Sequence, residues 1–377
     1  MRRIAIFGDS NSIWIKSFVK EVLVQISNCE IYIFSDRELQ VNEDFKYMDN
    51  LKVINCGKKT FLQKIGLGYI SYFFKVTTSV LKLKNFDCFH IHYVNSRKLF
   101  IVNFLRRFSK RIIVTFWGSD LLRKNNKEIL SYCRYLENVD KITVGSNDML
   151  QFAIQKFPES LLRKTSVVRF GVNGLEPIHY LTLDIKEVRD KWNFPNDKLI
   201  ISIGYNGSVQ QNHFSVIEQL TKLSESYKNK LHVIFPMTYG LEQDYLDQVK
   251  SSVEKLGCTY TFLLDYMDSE KIAELCFSVD AFVHAQKTDA FSASVQEYLC
   301  AGKLLFNPVW IHYDELEDSN VYYVKYESFD ELREKVSEFI SSGLTDEQRK
   351  RLSINKQIIY DLSSWNVLRN KWLKLYE

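Results

Sequence analysis

The sequence predicts an α/β chain of two doubly wound, Rossmann-like domains, each a parallel sheet covered by helices, facing each other across a cleft. Three observations carry this. Short β-branched apolar runs alternate with helical patterns along nearly the whole chain, as βαβ units require. The series breaks once, in GVNGLEPIHYLTLDIKEVRDKWNFPNDK (171–198), and then restarts. And 377 residues, 46% of them hydrophobic, exceed what a single core usually organises.

Taken in order, the strand-like runs of the first half are RRIAIFG, CEIYIFS, LKVINC, FDCFHIHYV, RIIVTF, KITVGS and TSVVRFG. After the break come LIISIGYNG, LHVIFPM, YTFLLDY, DAFVHA and KLLFN. These give a domain over 1–172, a linker over 173–195 with a short helix, and a second domain over 196–355. The tail SSWNVLRNKWLKLYE places Trp365, Leu368, Trp372 and Leu375 at helical spacing, so 356–377 is read as returning to the first domain. Ligands of such sheets sit beyond the carboxyl ends of the strands, which points to the cleft.

Composition excludes several classes. A formal charge of +4 with both signs interspersed is too mild for a nucleic-acid partner. Seven scattered cysteines without a C-x-x-C pair read as reduced core thiols in a cytoplasmic protein. The opening MRRIAIFGDS is broken by Asp9 too early for a signal peptide, and no apolar run is long enough to span a bilayer. His90 and His92 share one strand face and read as core residues, with no metal-ligand constellation around them. No D-x-D occurs in the sequence, so no metal site and no cofactor is expected.

The chemistry concentrates in DAFSASVQEYLCAGK (289–303). DAFVHAQKT reads as a strand leaving the core, SVQEYLCAG as a helix closed by Gly302, and the loop between them offers Ser292 or Ser294 as N-cap. A helix N-terminus suits a diphosphate. Glu297, about one turn inside, could accept both hydroxyls of a ribose, and Asp289 those of a sugar. A solvated helix face carrying two acids is the plain alternative.

Asp289, seven residues, Glu297, then Ala301, Gly302 and Lys303 resemble the acidic motif of the GT-B glycosyltransferases, above all the retaining family 4 (group 1). VTFWGSD (114–120), ITVGSNDM, VVRFGVN and the C-terminal helix are similar to that family's segments in the same order. The resemblance implies transfer of a sugar from a nucleotide-sugar donor, a UDP-sugar foremost, to a hydroxyl of a glycan or polyprenyl-linked acceptor in bacterial surface polysaccharide or glycolipid synthesis. It implies catalytic roles for Asp120 and Asp289; Lys287 and His213 are the candidates for stabilising the leaving group where the family's own cations are missing. Donor contacts fall on Glu297, Ala290, Phe291, Ser292, Gly204, Asn206, Gly207, Ser208, Asn212, Tyr266 and Met267. Gly8, Asp9, Trp117, Gly118 and Ser119 are placed on the acceptor side.

Several of these residues keep a second reading. Asp120 could equally cap a helix beginning at LLRKNNKEILSYC, and Lys287 could be a surface lysine. The family's Gly-Arg and Lys after the first strand of the second domain are replaced by GYNGSVQQNH (204–213), where a backbone nest at Gly207 and Ser208, with Asn206, Gln211, Asn212 and His213, is expected to stand in. That segment and FPMTYG also resemble the inverting transferases of lipid-linked 4-acetamido-4,6-dideoxygalactose, for which Asp120 or Asp9 would be the base. The missing Arg and Lys also leave room for a non-catalytic member that binds sugars or a partner transferase, and the same fold can house an epimerase. The stretches 61–84 and 104–111 combine aromatics with lysine and arginine, which suits either docking on the inner leaflet or packing on their own sheet.

Overall fold

The computed structural model describes the chain except for residues 38–44, 46–47, 58–67, 183 and 290. It divides into two compact units, Met1–Gly171 with Trp365–Glu377, and Val172–Ser364. Residues 356–364 therefore lie with the second unit.

Among the described residues the first unit holds seven strands: β1 Arg2–Gly8, β2 Cys29–Ser35, β3 Leu51–Asn55, β4 Phe86–His92, β5 Ser109–Thr115, β6 Lys141–Val144 and β7 Thr165–Val167. Their order is β3-β2-β1-β4-β5-β6-β7, and every pairing is parallel. The alternation of side chains explains why these runs are apolar throughout. Ala5, Phe7, Tyr32, Phe34, Phe89 and Ile91 feed one core, while Ile4, Ile6, Ile31, Ile33 and Cys88 feed the opposite one.

That second core is closed by the chain's own end. The helix Trp365–Leu373 buries Trp365 and Trp372 against it. Trp372 Nε1 donates to the Arg169 carbonyl at 2.7 Å, and Arg369 reaches the carbonyl of Glu21 at 2.7 Å. His90 and His92 are fully buried in the same region with ring centroids 3.9 Å apart, and burial drives both imidazoles to the neutral form.

The second unit has six strands: β8 Leu199–Ile203, β9 Leu231–Pro236, β10 Thr259–Leu263, β11 Ala281–Val283, β12 Leu304–Pro308 and β13 Val324–Tyr326. The order β10-β9-β8-β11-β12-β13 is again all parallel. Both sheets reverse their winding once, between β1 and β4 and between β8 and β11, and the crevice at such a reversal is where open sheets bind ligands. Among the described residues, the one strand the apolar runs did not announce is β13, a three-residue edge strand. All seven cysteines are free thiols, and no helix among the described residues is long and apolar enough to cross a membrane.

Candidate functional site

At the reversal in the second unit, two loops that lie far apart in sequence are laced together. The loop after β8 runs through Gly204–Asn212 and that after β11 through His284–Asp289. Asn212 Nδ2 donates to the Ala285 carbonyl at 2.7 Å, Lys287 N donates to the Gln210 carbonyl at 3.1 Å, and Gln211 Nε2 donates to Gln286 Oε1 at 2.9 Å. Tyr205 donates its hydroxyl to the same Gln286 oxygen.

The β8 loop spends its amides inside the protein. Gly207 N donates to the Tyr239 carbonyl at 2.8 Å and Ser208 N to Asn206 Oδ1 at 2.9 Å. The expected phosphate nest at these two positions is therefore already occupied. His213, buried behind the loop with Nδ1 3.0 Å from the Tyr245 hydroxyl, has its pKa pushed down to about 4 by burial, so it is neutral in the free protein. Lys287 is exposed.

The 289–303 stretch folds as a loop and a helix. Ser292 is the N-cap of the helix Ala293–Cys300 and accepts from Val295 N at 3.4 Å, while Gly302 leaves the helix at φ +69°, a left-handed conformation that suits glycine. Phe291 also takes a positive φ, +62°, a position costing a bulky residue roughly 1–3 kcal/mol. Gln296 Nε2 holds this turn by donating to the Phe291 and Ser292 carbonyls at 2.9 and 3.2 Å. Ala290 lies outside the described residues.

The two acids meet different surroundings. Asp289 Oδ2 accepts from Ser292 N at 3.0 Å and from the Tyr313 hydroxyl, and lies 3.6 Å from His284 Nε2. Glu297 is 6% exposed, and among the described residues no hydrogen bond to its carboxylate is found. Burial alone raises its pKa to about 7. Its head group lies beside Gly174, where an added Cβ would come within 2.5 Å of Glu297 Oε1. Gly174 thus keeps space open at the carboxylate, a role with no sequence signal of its own. Tyr266 is 68% exposed and Met267 packs on the neighbouring core; no hydrogen bond among the described residues ties either into the network.

In the first unit the residues expected on the acceptor side gather at the corresponding reversal. A cavity of about 360 Å³ is lined by Asp9, Asp36, Arg37, Tyr93, Lys98 and Trp117, among others. Gly8 ends β1 where the helix Ile13–Glu21 crosses closely: a Cβ would meet Ile15 at 2.9 Å. Ser119 Oγ pairs with the Tyr93 hydroxyl at 3.2 Å. Asp120 caps no long helix. Its carboxylate accepts from the amides of Val94, Trp117 and Gly118 at 2.6, 2.8 and 2.9 Å, which fixes the loop after β5 to the loop after β4. The following helix, Asn126–Leu136, is capped instead by Asn125 in a capping box with Glu128.

This architecture is shared with solved structures. A glycosyltransferase from Rickettsia africae is 16% identical with a TM-score of 0.76, covering 100% of this chain and 98% of that one. Sucrose-phosphate synthase from Thermosynechococcus elongatus is 13% identical, TM-score 0.75, over 100% and 98%. HepE from Anabaena, solved with UDP and glucose, is 13% identical, TM-score 0.73, over 99% of each chain. Two Rossmann-like units with this topology and these neighbours define the GT-B fold. No curated protein matches the sequence. Residues 184–358 match the family of glycosyl transferases group 1, and residues 3–146 match the glycosyl transferase 4-like family. The chain is a GT-B glycosyltransferase of the family 4-like, group 1 kind.

Proposed function

We propose that this glycosyltransferase takes its sugar from a nucleotide-sugar donor, UDP-sugars first, and passes it to a hydroxyl of a glycan or polyprenyl-linked acceptor in bacterial surface polysaccharide or glycolipid synthesis, with retention. The observation that carries the donor half is Glu297. A carboxylate buried with no hydrogen-bond partner among the described residues is costly, and two hydroxyls of a ribose would supply the missing bonds. HepE, solved with UDP and glucose, supports the nucleotide class.

In this reading Asp289 receives the donor sugar, and the N-terminus of the helix Ala293–Cys300 faces the diphosphate. Protein donors then stabilise charge on the leaving group while the acceptor hydroxyl attacks from the same side. The cavity of the first unit holds the acceptor; it mixes carboxylates, cations and the rings of Trp117 and Tyr93, as a hydroxyl-rich ligand requires. The inverting alternative needs a base, and Asp9, lining that cavity, is better placed for it than Asp120, which is held by three amides. Peripheral contact with an anionic leaflet is supported by the helix Gly68–Leu83, which shows Ile70, Phe74 and Leu81 to solvent, with Lys75 and Lys82 in the same helix.

The test is a thermal-shift and calorimetric screen of UDP-, GDP-, dTDP- and CMP-sugars on wild type and Glu297→Ala. One sugar nucleotide should bind, and the variant should lose at least ~2 kcal/mol of binding, the worth of charge-assisted bonds to a buried diol. Equal binding by the variant removes the donor assignment. The anomeric configuration of the product, read by NMR, decides between retention and inversion.

A further inference from the structure

We propose that His284 is a positioning residue of the donor site, which takes a proton at Nε2 as the donor binds and, as an imidazolium, holds the side chain of Asp289 toward the sugar. This rests on the reading of Asp289 as the sugar-binding acid.

The argument begins with Asn307. Its Nδ2 donates to the carbonyls of Pro308 and Ile311 at 3.1 and 2.8 Å, which fixes the amide so that Oδ1 faces His284 Nδ1 at 2.8 Å. An amide oxygen only accepts, so Nδ1 carries a proton. The remaining nitrogen, Nε2, is fully buried, makes no hydrogen bond, and lies 3.6 Å from Asp289 Oδ2.

That oxygen accepts from Tyr313 and from the Ser292 amide and has no proton to give. With Nε2 bare, a nitrogen lone pair therefore faces a carboxylate. With Nε2 protonated, the same geometry is an imidazolium–carboxylate pair. The surroundings accept such a cation: Asn307, Asp289 and the side chain of Gln286 all favour the charged form, and burial alone holds the imidazole below its ordinary pKa. The remaining close groups are the rings of Tyr205 and Tyr313, which flank the imidazole at 6.2 and 6.3 Å, and Phe282. No lysine or arginine among the described residues faces it in an ion pair or hydrogen bond.

The free site thus stands one proton short, and an incoming diphosphate adds the negative charge that draws it in. The proton comes from solvent, and only the Nε2–H bond forms. His284→Gln keeps an N–H donor that can reach Asp289 but cannot become charged, whereas His284→Phe keeps only the ring.

Two measurements test this. NMR of ¹⁵N-histidine-labelled, ligand-free protein near neutral pH should show His284 neutral with the proton on Nδ1; a proton on Nε2 overturns the proposal. Calorimetry of the same panel of nucleotide sugars, in buffers of different ionisation heat, should show wild type taking up about one proton more than His284→Gln. The difference between the two matters, because Glu297 releases a proton on binding in both. Affinity should fall about threefold or less in His284→Gln and roughly tenfold or more in His284→Phe. Binding with identical proton uptake in wild type and His284→Gln overturns the proposal while leaving the donor reading intact. Failure of every nucleotide sugar to bind removes the donor reading and this proposal with it.

Discussion

Each unit buries a carboxylate near the reversal of its sheet, Asp120 and Glu297, and the two are treated in opposite ways. Asp120 in the first unit is surrounded by three backbone N–H groups at 2.6–2.9 Å. Glu297 in the second has no hydrogen-bond partner among the described residues, and burial raises its pKa to about 7. The first is an internal fastener: its charge is spent on holding two loops together. The second is held in a costly state by the rest of the fold, and such a state is retained where a ligand completes it. Burial therefore does not by itself mark a functional acid; the partners around it do.

Breaking the fastener should give the largest effect. Asp120→Ala leaves three amides without an acceptor and should cost roughly 3 kcal/mol or more of stability, read as a lower urea midpoint by tryptophan fluorescence. Nucleotide-sugar binding by the folded variant should stay near wild type, because the residues proposed to hold the donor all belong to the other unit.

Glu297 makes a prediction of opposite sign. Its folded pKa, about 7, lies above its ordinary value of 4.5, so the folded state binds the extra proton. Stability contributed by that proton is present below the unfolded pKa and is lost as pH rises through about 7. Across this window wild type should lose on the order of 3 kcal/mol that Glu297→Gln keeps, so the variant should be the more stable protein above neutral pH. Urea unfolding of both proteins across that pH range checks it.

Gly174→Ala probes the same carboxylate without touching its charge. The new methyl would press on Glu297 Oε1 at 2.5 Å, so nucleotide-sugar affinity should drop by roughly tenfold while the melting temperature moves little. The smallest effect belongs to Lys287→Ala. An exposed side chain should change stability by less than about 0.5 kcal/mol, and any large loss of turnover would return it to the catalytic machinery.

Much of the fold could be read from the sequence because parallel strands buried on both faces are written as continuous β-branched runs. The edge strand β13 escaped because three residues, Val324–Tyr326, carry no such run. At the candidate site, DAFSASVQEYLCAGK already spelled a loop, a cap and a helix. Its partners did not show, because topology rather than spacing supplies them: Asn307 and Tyr313 come from β12 and the segment beyond it, and Gly174 from before β8. Asp120 as a cap was the less informative reading for a local reason. The capping box Asn125-x-x-Glu128 stood in the sequence and marked the true helix start five residues on.

The most direct measurement is the calorimetric affinity of the bound nucleotide sugar for wild type and Glu297→Gln, from about pH 6 to about pH 8. If a ribose completes Glu297, the carboxylate is the binding form. Wild type should then bind tighter than the variant, by a margin that widens as pH rises through about 7. Equal affinities, or a margin that does not move with pH, would contradict the account and leave Glu297 a buried acid with no ligand to complete it.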